Sequence, residues 1–262
     1  MELTLPPFPT QPGAQAAMAS AILTLIFGVA LLALARPIAS WWGFAAREGR
    51  EGAVGELRPV GGFMAGLGLS AFLFDQPVLY VMIGASWAFA AFGRLLSMMS
   101  ASDRSNGLFN FGFLLLQVAL AAGGLYWLFD VWNGDFSFQM PEDQSAYIVF
   151  VAAAVVAAAG FFVMFAPGLA MLLAGLSIGE GRSRVIASVR SFGGLFLGAG
   201  AVQMLAGNPM CELALGTALG LAVLGRLLAL AFEHGRYVFQ GLTLILLLAG
   251  AGIFLGHVFG YF

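Results

Sequence analysis

Leu57-Arg58-Pro59-Val60-Gly61-Gly62, running on to Gly66 and Gly68, has a counterpart in Val189-Arg190-Ser191-Phe192-Gly193-Gly194, running on to Gly198 and Gly200. The offset is 190 − 58 = 132 residues. At that offset, without a gap, Pro77 meets Pro209, Gly84 meets Gly216, and Gly93-Arg94-Leu95-Leu96 meets Gly225-Arg226-Leu227-Leu228. Apolar helices match one another by chance at leucines and alanines; two arginines and a spaced set of glycines in register are a more specific signal. With small shifts the match extends to Pro37 and Pro167, and to Phe109-Asn110 and Phe239-Gln240. The chain therefore reads as a unit of roughly 130 residues present twice, the register itself being the evidence for the repeat.

The composition says what medium the unit is built for. With 61% hydrophobic and 9% charged residues and a mean hydropathy of +0.94 over 262 residues, the chain falls far below the roughly 25% charge of soluble domains. Apolar runs long enough to cross about 30 Å of hydrocarbon occur eight times: Ala16 to Ala35, Val60 to Phe74, Val78 to Met99, Leu108 to Phe129, Tyr147 to Ala166, Ser191 to Ala206, Met210 to Leu230 and Tyr237 to Phe259. The second and sixth are short, and Arg58 and Arg190 at their starts can snorkel to lengthen them. The expected fold is all-α and integral to the membrane: eight transmembrane helices arranged as two parallel-repeat four-helix bundles. The first repeat covers 1–130, an acidic linker 131–146 and the second repeat 147–262. Each unit has an even number of spans, so the repeats are related by an axis along the membrane normal rather than by inversion.

All eleven basic residues are arginines. If the eight spans hold, every one falls at one face: Arg36, Arg47, Arg50 and Arg58 after span one; Arg94 and Arg104 about the link after span three; Arg182, Arg184 and Arg190 after span five; Arg226 and Arg236 about the link after span seven. The positive-inside rule makes that face cytoplasmic. The other face carries acids alone: Glu2, Asp75, Asp130, Asp135, Glu142, Asp143 and Glu212. Trp127, Trp132, Tyr147 and Tyr261 at that boundary, with Trp41, Trp42 and Tyr237 at the arginine boundary, form the two aromatic belts. The first fifteen residues have no basic n-region, so the first span reads as retained rather than as a secretory signal. The expected location is the bacterial inner membrane with both termini outside.

The Arg-x-x-Gly-Gly-x-x-x-Gly-x-Gly helix followed by a helix ending Gly-Arg-Leu-Leu resembles the bacterial membrane family catalogued as domain of unknown function 4345, through Arg58 to Leu96 and again through Arg190 to Leu228. The resemblance implies a four-helix membrane fold and no activity. Two units in one chain depart from the family's usual single unit.

Gly62 and Gly66, and Gly194 and Gly198, stand four apart on one helix face and let another backbone approach closely. Gly252, Gly256 and Gly260 repeat the spacing at the end of span eight, where contact with another subunit is the expectation. Arg94 and Arg226 lie about 24 Å along their spans, about 6 Å short of the far edge of the hydrocarbon layer. An arginine there needs a carboxylate, a carbonyl or a lipid phosphate. With Arg58 and Arg190 beside them, and Glu56, Asp103, Glu180 and Glu233 nearby, the four arginines form either a structural clamp or a basic pocket for an anionic lipid such as cardiolipin.

Gln117, Gln203, Ser70, Ser86 and Thr217 are expected to bond between helices, and Trp87 to be core packing. No acid or histidine is expected in a span interior. Cys211 alone makes no disulfide, and His234 and His257 lie at opposite faces, so no metal or cofactor site is indicated. No His-Glu-x-x-His, nucleophile elbow or phosphate loop occurs, so no enzyme activity is expected; a nucleic-acid partner is equally unexpected. The sequence is best read as an accessory or scaffold subunit of a larger respiratory or photosynthetic complex, with protein partners in the membrane. The alternative is a transporter or channel for a small or lipidic solute at the interface between the repeats.

Overall fold

The computed structural model describes residues 8–48, 51–100, 107–132, 140–179, 181–233 and 237–262, with the backbone alone at 51, 131–132 and 237–238. Glu2, Arg50, Asp103, Arg104, Asp135, Glu180, His234 and Arg236, and the side chains of Trp132 and Tyr237, fall outside it. The chain is an all-α integral membrane protein: eight helices among the described residues are long and apolar enough to span a bilayer.

In chain order the helices are α1 (Pro12–Ala33), α2 (Ala35–Trp42), α3 (Leu57–Phe74), α4 (Pro77–Ser100), α5 (Gly107–Gly124), α6 (Leu128–Trp132), α7 (Gln144–Phe165), α8 (Pro167–Ala174), α9 (Arg182–Ala206), α10 (Pro209–Phe232) and α11 (Tyr237–Val258). Strands β1 (Phe44–Ala46) and β2 (Leu176–Ile178) interrupt the helical pattern. The bounds of α1, α2, β1 and α4 recur 132 residues later as those of α7, α8, β2 and α10.

Local chemistry sets these boundaries. Proline occupies the first turn of α1, α8 and α10, where its missing N–H costs nothing. Gly43 and Gly175, both left-handed, end α2 and α8. The short helices α2 and α8, with β1 and β2, were not indicated by span length: they are too brief for a hydropathy window and lie where the chain turns at the arginine end. The sixth span is longer than its apolar core suggests. Helix α9 starts at Arg182, nine residues before Ser191, because Val185, Ala187, Ser188 and Val189 are buried between neighbouring helices rather than exposed to headgroups.

The packing is a core of α3, α4, α9 and α10 with α1, α5, α7 and α11 outside it. Burial over the apolar window is 67, 72, 72 and 56% for the inner four spans but 39, 33, 28 and 11% for the outer four. The inner helices pair across the halves. A Cβ added to Gly62 or Gly66 would come within 3.0 Å of the α10 backbone at Leu221 or Ala218, and one added to Gly194 or Gly198 would meet the α4 backbone at Phe89 or Ser86. The four glycines thus close the α3–α10 and α9–α4 contacts, as their spacing predicted. What the spacing did not reveal is that each half completes the other: α3 packs on α10 about as extensively as on α1, and α4 chiefly on α9, while α3 and α4 hardly touch each other.

Along α4 and α9 the contacts run Gly93 with Arg190, Ala90 with Gly194 and Ser86 with Gly198, so these helices are antiparallel. The sharp turn at Asp75 makes α3 antiparallel to α4, and hence α3 is parallel to its counterpart α9. At the arginine end the β1–β2 ribbon pairs Ala45 with Ser177, its counterpart at the offset of 132.

The last glycine series is corrected. Helix α11 ends at Val258, and Gly260 (φ +72°) is a turn residue whose N–H is bonded to the His257 carbonyl. Gly256 is covered by the Phe262 ring, and of the two helical glycines Gly252 alone faces open space. A left-handed glycine just past a helix is a stop signal, so Gly252, Gly256 and Gly260 do not form one packing face.

Candidate site: the buried arginines

The four arginines cluster at the α2–α8 end, where α4 and α10 finish and α3 and α9 begin. Among the described residues every arginine lies on this side, while Asp75, Asp130, Glu142, Asp143 and Glu212 lie at the other. The burial of Arg94 and Arg226, 3% and 4% exposed, forces each to find a partner.

In the site built on α10, those partners are carboxylates. Arg226 Nη1 lies 2.6 Å from Glu56 Oε2, with both side chains buried. Gln240 of α11 donates to the other oxygen of Glu56 at 3.5 Å. Beside it Arg58 bonds Glu233 Oε1 at 3.3 Å through both Nε and Nη2. Its Nη1 donates to the carbonyls of Leu32 and Ala33 at the end of α1. The exposed Arg36 adds a contact to the same Glu233 at 3.4 Å. Arg58 and Arg226, with Arg36, thus tie five helix ends together across both halves. Gly55 is what admits Glu233, for a Cβ there would overlap its carboxylate.

The site built on α4 has the corresponding arginines and, among the described residues, no such acids. Arg94 donates from Nε to Gln117 Oε1 at 2.9 Å and from Nη1 to Asn110 Oδ1 at 3.1 Å, both on α5. Asn110 in turn donates to Ser183 Oγ of α9 at 2.7 Å. The guanidinium stands 5.1 Å from the Phe113 ring centroid, and Arg184 stands 5.5 Å from that of Phe109 while donating to the Trp41 carbonyl. Such faces attract a cation but neutralise nothing. The Nε of Arg190 is buried with no hydrogen-bond partner among the described residues. The difference traces to single positions. Glu56 corresponds to Ser188 and Glu233 to Ala101, each at the offset of 132.

Where a longer side chain would reach Arg94 there is a cavity, with about 580 Å³ of empty space counting its mouth. Phe27, Ala30 and Leu31 of α1, Ile38 and Trp42 of α2, Met64 of α3, Trp87 and Arg94 of α4, Phe113, Leu116 and Gln117 of α5, and Ser188, Ser191, Phe192 and Leu195 of α9 line it. Its walls are apolar save Arg94, Gln117 and the two serines, and both halves contribute.

The expected interhelical bonds divide. Gln117 accepts from Arg94, and Gln203 donates to Glu212 at 3.3 Å. Ser86 and Thr217 instead bond back to the carbonyls of Met82 and Leu213 in their own helices, and Ser70 Oγ is buried without a partner among the described residues. A short hydroxyl reaches the carbonyl one turn back more readily than a neighbouring helix. Trp87 is core, as expected, and its Nε1 donates to Thr24 Oγ1 at 2.7 Å.

Sequence reading also missed a pair at the far end. Glu212, 4% exposed in the first turn of α10, meets His257 Nδ1 of α11 at 2.7 Å. Both were assigned to the acidic face one by one; only the packing of α10 on α11 brings them together. Among the described residues no group of three acids, histidines or cysteines could hold a metal. No family model, curated protein or solved structure matches the chain.

Proposed function

We propose that the protein is a non-catalytic accessory or scaffold subunit of a larger bacterial inner-membrane complex of the respiratory or photosynthetic type. In this reading its two halves arose by duplication of a unit related to the domain of unknown function 4345 family. The arginine end is cytoplasmic by the positive-inside rule, which puts both termini outside.

The observation that supports a subunit role is the lopsided outer layer. Helix α11 has 11% of its apolar window buried, against 33% for the span containing its counterpart α5. Its outward side presents Leu242, Ile245, Leu246 and Leu248 with open space at Gly241 and Gly252. Small residues without a backbone against them admit a neighbouring helix. Extraction in a mild detergent followed by native electrophoresis and identification of co-migrating chains tests this. A fixed set of partners, released by Gly252→Leu, is expected; the chain migrating alone under every mild condition overturns it.

A second reading, a carrier for a small or lipidic solute, is favoured by one observation: the cavity beside Arg94 is lined by both halves. Solute flux in proteoliposomes containing the chain alone separates it from the first.

A further inference from the structure

Among the described residues the α4 site is the α10 site with its acid removed. Arg226 is met by a carboxylate carried on Glu56, while the corresponding position in the other half carries Ser188. Serine is shorter by a methylene and a carboxylate, and Arg94 and Ser188 share the wall of the cavity. Arg94 is 3% exposed and its hydrogen bonds among the described residues run to the neutral amides of Gln117 and Asn110. A guanidinium stays charged at any ordinary pH. A cation in an apolar layer with dipoles alone around it is costly, and an anion beside it recovers much of that cost.

We infer that the cavity binds the carboxylate of a single-chain amphiphile, a long-chain fatty acid, with its head on Arg94 and its tail between Trp87, Phe27 and Phe192. Two properties of the site select this ligand. The head is a carboxylate because the other half holds one there, at 2.6 Å from the equivalent guanidinium. The tail is apolar because the remaining walls are aromatic and aliphatic. Gln117 and Asn110 hold the guanidinium plane while leaving donors for the head, in the charge-assisted bonding that favours arginine for carboxylates. The site stands whether or not the protein has partner subunits.

The test uses the full chain, purified in a neutral detergent, stripped of lipid and titrated with oleate, the readout being one added oleate per chain in native mass spectrometry. Saturable one-to-one binding is expected, with methyl oleate at least about tenfold weaker because it lacks the charge. Arg94→Gln weakens oleate by about tenfold or more, and so does Ser188→Glu, which supplies the anion from within. The second variant keeps a melting temperature at or above that of the parent, so its loss of binding is not misfolding. Arg47→Gln leaves binding unchanged.

Oleate and methyl oleate binding alike, or Ser188→Glu binding oleate undiminished, overturns the inference. So does a one-to-one adduct of phosphatidylglycerol that Arg94→Gln removes while oleate fails to bind, since the occupant is then a phospholipid head. Joint replacement Asp103→Asn and Glu180→Gln leaves oleate binding unchanged. Binding that appears only in that double variant shows a loop acid of the chain already filling the place, and overturns it equally.

Discussion

The two buried arginine sites stand at corresponding positions and are solved differently. Around Arg226 and Arg58 the chain provides Glu56 and Glu233, and the charges are paired internally. Beside Arg94 the position of Glu56 carries Ser188, and Glu233 has Ala101 as its counterpart in sequence; among the described residues Arg94 keeps amide and ring partners, while buried nitrogens without a hydrogen bond remain in both sites, Arg190 Nε in one and Arg226 Nε in the other. The scaffold does not account for this: α4 and α10 have the same bounds at an offset of 132, and the glycines that set the helix approach are shared. What differs is a handful of side chains on an unchanged frame. The frame determines where a charge must sit, and the side chains determine whether the chain or something else answers it.

The largest expected effect tests the frame. Gly62→Leu and Gly194→Leu each push a side chain into the backbone of the facing core helix, beyond what repacking can absorb, at a cost above about 4 kcal/mol. Loss of a monodisperse peak on size exclusion for both variants is expected. If one half tolerated the change, the frame would not be shared.

Next comes the closed site. Glu233→Ala leaves Arg58 without its carboxylate, a loss of roughly 3 to 5 kcal/mol where a buried pair loses one partner. Thermal unfolding should show a fall of several degrees, and Arg36→Ala, at an exposed side chain, should show far less. Equal effects would mean that Glu233 is held by surface electrostatics.

Smaller differences lie at the helix ends. The turn between core helices uses Gly207 in one half and Asp75 in the other, both left-handed, and Asp75 accepts a bond from Tyr80 at 2.6 Å. Gly207→Ala should cost about 1 to 2 kcal/mol, the left-handed penalty of a Cβ. Asp75→Gly should change little, since it trades that bond for freedom. Smallest is the N-cap comparison. Asp143 caps α7 through the N–H groups of Ser145 and Ala146, while Gln11 caps α1 with no side-chain bond. The Ser145 hydroxyl and these N–H groups hold the Asp143 carboxyl below its ordinary value. A carboxyl lowered in the folded state stabilises above its unfolded pKa and loses that contribution as pH falls through the folded value. Asp143→Ala should therefore lower stability slightly at neutral pH and not at strongly acidic pH, whereas Gln11→Ala should be neutral at both.

Much of the frame was legible because it is periodic: apolar runs fix the spans, arginines fix the ends, and Gly62, Gly66, Gly194 and Gly198 announce close approach. The exchange of partners between halves was not, because α3 meets α10 through a surface that reads the same whichever helix covers it. Gly252, Gly256 and Gly260 misled for a related reason, since four-residue spacing signals a helix face only while the helix continues. The site was half legible. Depth along the span singled out Arg94 and Arg226, which are buried, and of the four acids named nearby Glu56 and Glu233 pair with Arg226 and Arg58 while Asp103 and Glu180 lie outside the described residues. The contrast between Glu56 and Ser188 needed the register to be carried past the conserved-looking motif into positions where the halves disagree.

The contrast is tested most directly by exchanging the two residues and following thermal unfolding in one detergent. Glu56→Ser opens the Arg226 site and should lower the melting temperature, Ser188→Glu closes the Arg94 site and should raise it, and the double exchange should return it close to the parent value, one site closed and one open as before. A fall in all three, with the double exchange the lowest, would contradict the account, for it would mean that the space between Ser188 and Arg94 has no room or need for an anion.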